Sequence, residues 1–213
     1  MGSCNVVVDL SHNNPTADFV TAQAAGIVGV IHKATQGTGF ADPAYSSRRQ
    51  QAGAAGLLWG AYHFATGGDP VAQAKFFLRT ASPTAQDLIV LDFEQNEASP
   101  PNTLTLDPAH TFIKTVQDAT GITPGLYGGA YLKQQLVGGQ DAILQACWLW
   151  WAQYGPTPAI PANWPDWTLW QYTDGHHGNP PFELDGIGPC DRDQYQGTPD
   201  DLKTKWVTGT LAD

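Results

Sequence analysis

Five times between Asn5 and Leu136 a short apolar run is followed by a segment built like a helix, and that alternation restricts the fold more than anything else in the chain. Asn5–Asp9 (NVVVD), Ile27–Ala34 (IVGVIHKA), Leu57–Phe64 (LLWGAYHF), Leu88–Glu94 (LIVLDFE) and Gly125–Tyr127 read as strands. Helices are expected over Ala17–Ala25, capped by Thr16 or a neighbour, then over Pro43–Ala55, from Asp69-Pro70 to Thr80, from Asp107-Pro108 to Ala119, and over Ala130–Leu136. The punctuation agrees: Gly26 and Gly56 stop the first two, and proline stands at the favoured first helical position of the third. After Gly139 the pattern changes. A short helical stretch to Gln145 precedes two aromatic-rich strands, Trp148–Tyr154 (WLWWAQY) and Trp167–Thr173 (WTLWQYT), and a last strand approaches Asp191. Strand–helix alternation calls for a parallel sheet with helices outside. This is the α/β class. Eight strands can close into a barrel; an open doubly wound sheet is the alternative. No glycine-rich phosphate loop follows the first strand, so a nucleotide site lacks support.

The 213 residues suit one domain, 1–213, with no separate appended module expected; 42% are hydrophobic, enough for a sizeable core. With 10 Lys+Arg and a formal charge of −10, the chain lacks the basic face that nucleic acid or anionic membranes would need. The N-terminus has no basic segment leading into a long apolar stretch, and no apolar run reaches the ~18 residues of a membrane span. Cys4, Cys147 and Cys190 have no zinc-like or redox spacing, and buried free thiols are the simplest reading. No cofactor or metal is implied.

In a parallel barrel the chemistry sits at the C-terminal strand ends. Three strands end there on polar groups: Asp9 with Ser11 and His12, then Tyr62-His63, then Asp92 and Glu94. Residues i and i+2 of a strand share a face, roughly 6.5–7 Å apart at the backbone. Asp92 and Glu94 thus project together into the mouth, with Phe93 toward the helices. Close carboxylates raise each other's proton affinity, which supplies a general acid beside an ionised partner. A solvated strand end is the bland alternative for a lone D-x-E; the buried run before it argues otherwise. Trp148, Trp150, Trp151, Trp164, Trp167 and Trp170 crowd the last third. Most fill core, and some can stack on sugar faces.

Several motifs in order carry a family resemblance: Val7-Val8-Asp9-Leu10-Ser11-His12, Ile31 to Gly39 (IHKATQGTG), Asp42-Pro43, Gly60 to Ala65 (GAYHFA), Leu91 to Glu94 (LDFE), Trp151 to Tyr154 (WAQY), Trp170-Gln171-Tyr172, and Cys190 to Asp193 before Tyr195. Across nearly its whole length the chain resembles the glycoside hydrolase family 25 lysozymes, which are N-acetylmuramidases. The resemblance implies an irregular TIM-like barrel, (β/α)5(β)3. It also implies cleavage of the β-1,4 bond between N-acetylmuramic acid and N-acetylglucosamine in peptidoglycan, by a monomer without metal. Glu94 resembles the proton donor, and Asp92 the carboxylate that orients the 2-acetamido group or stabilises positive charge. Asp9 and Asp191 resemble two further acids of the same mouth, with Asp193 the alternative to Asp191. Lys33, Tyr62, His63, Tyr127, Trp151, Gln153, Gln171 and His12 are the candidate sugar contacts. Two departures stand out. Gln36 replaces the acid of the usual K-A-T-E-G, and Cys190-Asp191-Arg192-Asp193 replaces V-D-x-N. Strand spacing cannot choose between retention and inversion; D-x-E favours retention assisted by the substrate's own acetamido group, an exception to the two-carboxylate schemes. The expected setting is synthesis in the cytoplasm and action on the wall after release or export. Two rivals remain: a metal-dependent hydrolase or deacetylase using Asp9, His12, His63 and Asp92, and a glycan-binding barrel without catalysis.

Overall fold

Eight strands close a barrel in the computed structural model, which describes residues 2–136 and 139–212; the termini of the expected domain, Met1 and Asp213, lie outside the described residues. In chain order the elements are β1 (Cys4–Leu10), α1 (Phe19–Ala24), β2 (Gly29–Gln36), β3 (Phe40–Ala41), α2 (Tyr45–Ala54), β4 (Leu58–Phe64), α3 (Pro70–Ala81), β5 (Leu88–Asp92), α4 (Leu106–Thr120), β6 (Gly125–Gly128), α5 (Ala130–Gln135), α6 (Ala142–Gln145), β7 (Leu149–Ala152), β8 (Leu169–Thr173), β9 (Glu183–Leu184), β10 (Gly188–Pro189), β11 (Asp191–Tyr195) and α7 (Pro199–Trp206). Around the barrel the order is β1, β2, β4, β5, β6, β7, β8, β11. Every pairing around the barrel is parallel except those of β11, which runs antiparallel to both β8 and β1. The open-sheet alternative therefore falls, and the (β/α)5(β)3 expectation holds.

Alternation along each strand divides the side chains between two cores. Val7, Ile31, Leu88, Val90, Trp148, Trp150, Leu169 and Tyr195 fill the barrel. Val8, Val30, Ala61, Ile89, Leu91, Phe93, Leu126, Leu149 and Trp151 face the helix layer. The N-terminal end of the barrel is sealed by indole rings. Trp206 of α7 lies against Gly29, where a Cβ would meet the ring at 2.5 Å, and its Nε1 donates to the Trp59 carbonyl at 2.9 Å. Trp148 covers Gly125 in the same way, with a Cβ position 2.2 Å from the ring. With that end packed, the opposite rim is the accessible one.

Element ends differ from expectation for local reasons. The cap of α1 is Asp18, whose Oδ1 accepts from the backbone N–H groups of Val20 and Thr21, so the helix starts later than Ala17. Asp42 is occupied by the backbone and ring of His12 and by the Ala44 N–H, and α2 begins at Tyr45 rather than Pro43. α3 starts as read, with Asp69 capping Val71 and Ala72 and Pro70 at its first position. Strand β5 stops at Asp92, two residues short of the expected end, so Glu94 stands just beyond the strand. The β3 hairpin, the β9–β10 ribbon and α7 were absent from the sequence reading. A Thr198 cap followed by Pro199, Asp200 and Asp201 is a legible helix start for α7.

Candidate active site

At the C-terminal rim a cavity of about 290 Å³ is lined by Asp9, Ser11, Asn13, Tyr62, Asp92, Glu94, Tyr127, Trp150, Tyr154, Gln171 and Asp191. Each strand delivers its residue by the same rule: inward-facing positions below are apolar and the last inward position is polar. In β5 the inward series is Leu88, Val90, Asp92. Across the β1–β11 pair Asp9 is opposite Asp191, and Val7 is opposite Asp193. Asp191 is therefore at cavity height, whereas Asp193 is one layer lower. Asp193 is fully buried and accepts from Trp150 Nε1 at 2.7 Å.

Among the described residues no lysine or arginine lines the cavity. Burial alone pushes the proton affinity of all five acids up, and their mutual repulsion adds to it. Glu94 is pushed up to about 7 by burial, opposed by Lys33 and reinforced by Asp191 and Glu97. Asp191 is pushed up to about 7 by burial and by Asp174. Asp92 is raised well above the ordinary carboxyl range by burial and the Glu94 charge, with Lys33 opposing; its Oδ1 has no hydrogen-bond partner. Asp9 is raised by burial, Asp191 and Asp193, while its Oδ2 accepts from Gln171 Nε2 at 2.8 Å. The Gln171 carbonyl accepts from Tyr127 at 3.0 Å and Tyr154 at 3.1 Å.

Seven of the expected residues thus meet: Asp9, Asp92, Glu94, Asp191, Tyr62, Tyr127 and Gln171. Lys33 stands beside them. Its Nζ donates to Gln36 at 2.7 Å and lies 4.9 Å from the Phe64 ring centre, and its charge acts on Asp92, Asp42 and Glu94. Trp151 and Gln153 line a neighbouring groove of about 660 Å³ that shares Glu94, Tyr127 and Tyr154 with the cavity. Trp151 faces outward because Trp150 faces in, and its Nε1 donates to Gln153 at 3.0 Å. His12 is held at 2.7 Å by Asp42 outside the acid cavity, with its ring against Phe40. His63 is a correction. It is fully buried, stacks on Phe112 with ring centres 5.0 Å apart, and bonds Thr35 and Gln73. Tyr62 points into the barrel, so the next residue must point out. Burial lowers His63 to about 4 and keeps it neutral. It cannot contact sugar or join Asp9 and Asp92 around a metal. Asn13 and Tyr154 line the cavity without having been expected as sugar contacts; Tyr154 ends WLWWAQY and walls both cavities.

Such a site can hold a proton on one buried carboxyl while another stays charged, in a polar cavity of sugar dimensions. Comparison with known proteins points the same way. The profile of glycosyl hydrolases family 25 matches residues 8–179. The N,O-diacetylmuramidase of Chalaropsis is 33% identical over 185 residues, covering 79% of this chain and 87% of that protein. The bacterial lysozyme structure from Streptomyces coelicolor superposes with a TM-score of 0.83 at 26% identity, covering 98% of this chain and 99% of the other. A family GH25 lysozyme from Aspergillus fumigatus gives a TM-score of 0.81 at 28% identity, with 97% and 99% covered.

Proposed function

The chain belongs to glycosyl hydrolase family 25, and from that premise we propose that it cleaves the β-1,4 bond between N-acetylmuramic acid and N-acetylglucosamine, with Glu94 as general acid. The chain is a glycoside hydrolase of the N-acetylmuramidase kind, a peptidoglycan hydrolase. The observation that carries the finer reading is a carboxyl poised at about 7 on the wall of a cavity holding three other acids. A general acid works best with a proton affinity near the operating pH. Glu94 gives its proton to the leaving sugar oxygen. Asp92, adjacent and with no partner on Oδ1 among the described residues, accepts a hydrogen bond from the acetamido N–H, and that group's oxygen bonds to the anomeric carbon as the glycosidic C–O bond breaks. Asp9 and Asp191 supply negative charge as the anomeric centre becomes positive. Water then opens the oxazoline-type intermediate with Glu94 now acting as base, so the product retains the β configuration.

The test is clearing of purified wall suspensions by wild type and by Glu94→Gln, with mass spectrometry of the fragments. Clearing by wild type alone and muramic acid at the new reducing ends support the reading. N-acetylglucosamine reducing ends, or clearing by the variant, refute it. NMR of the first-formed anomer tests retention; an initial α product removes the acetamido route.

A further inference from the structure

We propose that Gln171 is a positioning residue for Asp9: the hydroxyls of Tyr127 and Tyr154 fix its amide in one orientation, and the amide N–H then holds Asp9 as a hydrogen-bond acceptor. The proposal rests on the glycosidase reading and adds to it the group that governs one of its charges. Where no cation lines the cavity, the placement of N–H and O–H donors decides which buried acids keep a charge. Asp9 is faced by Asp191 and Asp193 from β11, Asp92 from β5, Tyr62 from β4 and Tyr127 from β6. The cation of β2, Lys33, acts on Asp92, Asp42 and Glu94 instead. Gln171 Nε2, 2.8 Å from Asp9 Oδ2, donates against this repulsion, and Asp193 shares a side-chain hydrogen bond with Asp9.

An amide can present either end to a neighbour. If Gln171 turned over, its oxygen would face Asp9, and Asp9 would have to carry a proton to satisfy it. Its NH2 would face the two phenols, which would have to act as acceptors. With both tyrosine hydroxyls donating to Oε1, at 3.0 and 3.1 Å, the observed orientation turns Nε2 toward Asp9 Oδ2, while the Asp9 carboxyl also meets that of Asp193. Amide orientation and the proton affinity of Asp9 are therefore linked. Tyr154 is 42% exposed, follows β7 and walls both cavities, so the linkage reaches the rim where a glycan enters.

The test compares wild type with Gln171→Met, Tyr127→Phe and Tyr154→Phe. The Asp9 carboxyl is followed by 13C NMR against pH, and wall clearing is measured over the same range. Gln171→Met is expected to raise the Asp9 midpoint by about one pH unit, tenfold in proton affinity, and to move the acid limb of clearing with it. Each tyrosine variant moves both in the same direction by less. An Asp9 midpoint unchanged in a folded Gln171→Met overturns the proposal. If that variant does not fold, Tyr154→Phe, altered at a half-exposed ring, decides by the same criterion. The NMR midpoint needs no turnover, so a failure of wild type to clear walls would refute the proposed function and leave this result standing by itself.

Discussion

Replacing Glu94 by Gln is expected to stabilise the protein at neutral to alkaline pH while removing its chemistry. Burial raises the Glu94 carboxyl from an ordinary 4.5 to about 7 in the folded chain. Between those values the folded state holds a proton that the unfolded state has released, so stability falls as pH rises through that window. Below it both states are protonated, and the penalty vanishes. Above about pH 7 the penalty is complete. At about 1.4 kcal/mol per pH unit it amounts to about 3 kcal/mol at most, because part of the repulsion is shared with Asp92 and Asp191. Glutamine has nearly the shape and the neutrality of the protonated acid, so the variant escapes this cost. In urea unfolding, wild type and Glu94→Gln should coincide near pH 4 and diverge to a variant advantage of about 3 kcal/mol by pH 8. In thermal melts of a chain this size that is roughly 6–12 °C. Taking the difference between the two proteins at each pH cancels the titrating groups that do not interact with Glu94. A difference that does not vary with pH, or a variant less stable at pH 8, refutes the reasoning.

Wall clearing should decline above about pH 7 as Glu94 loses its proton; Lys33→Met, which removes the opposing cation, should move that decline upward by about one pH unit in a pH–rate profile. Gln36→Glu should act in the same direction by compensating Lys33, which Gln36 now contacts as a neutral acceptor. Trp206→Ala should cost about 3–5 kcal/mol in denaturant unfolding, since a fully buried indole at the closed end is lost. His63 should make wild type lose stability as pH falls from 6.5 toward 4, because the unfolded chain protonates where the folded chain does not; His63→Gln should flatten that slope without raising the KM for peptidoglycan.

The β/α alternation, the capping Asp69-Pro70 pair and the run into Asp92 were legible because they rest on local periodicity and capping chemistry. Period-2 reasoning also contained its own correction. If Tyr62 and Trp150 face the barrel interior, His63 and Trp151 face the helices, and the structure places them so. Treating neighbours on one strand as joint sugar contacts overlooked that rule. The choice between Asp191 and Asp193 had no local signal, since both share a face of β11. Only the pairing of Asp191 with Asp9 sets the heights. The meeting of Gln171 with Asp9 spans 162 residues, and that of Asn5 with Tyr172 spans 167; neither spacing leaves a trace along the chain.

By itself the sequence determined the class of sheet, the number of strands in the barrel and the acidic character of one rim, because strand and helix periodicity and polar strand ends are properties of neighbouring residues. Only the closed barrel decided which acids share a cavity, how strongly burial holds protons on them, and which donor faces which carboxylate. Those follow from register and from the exclusion of water, and both come into being only when strands far apart in the chain pair around a common axis.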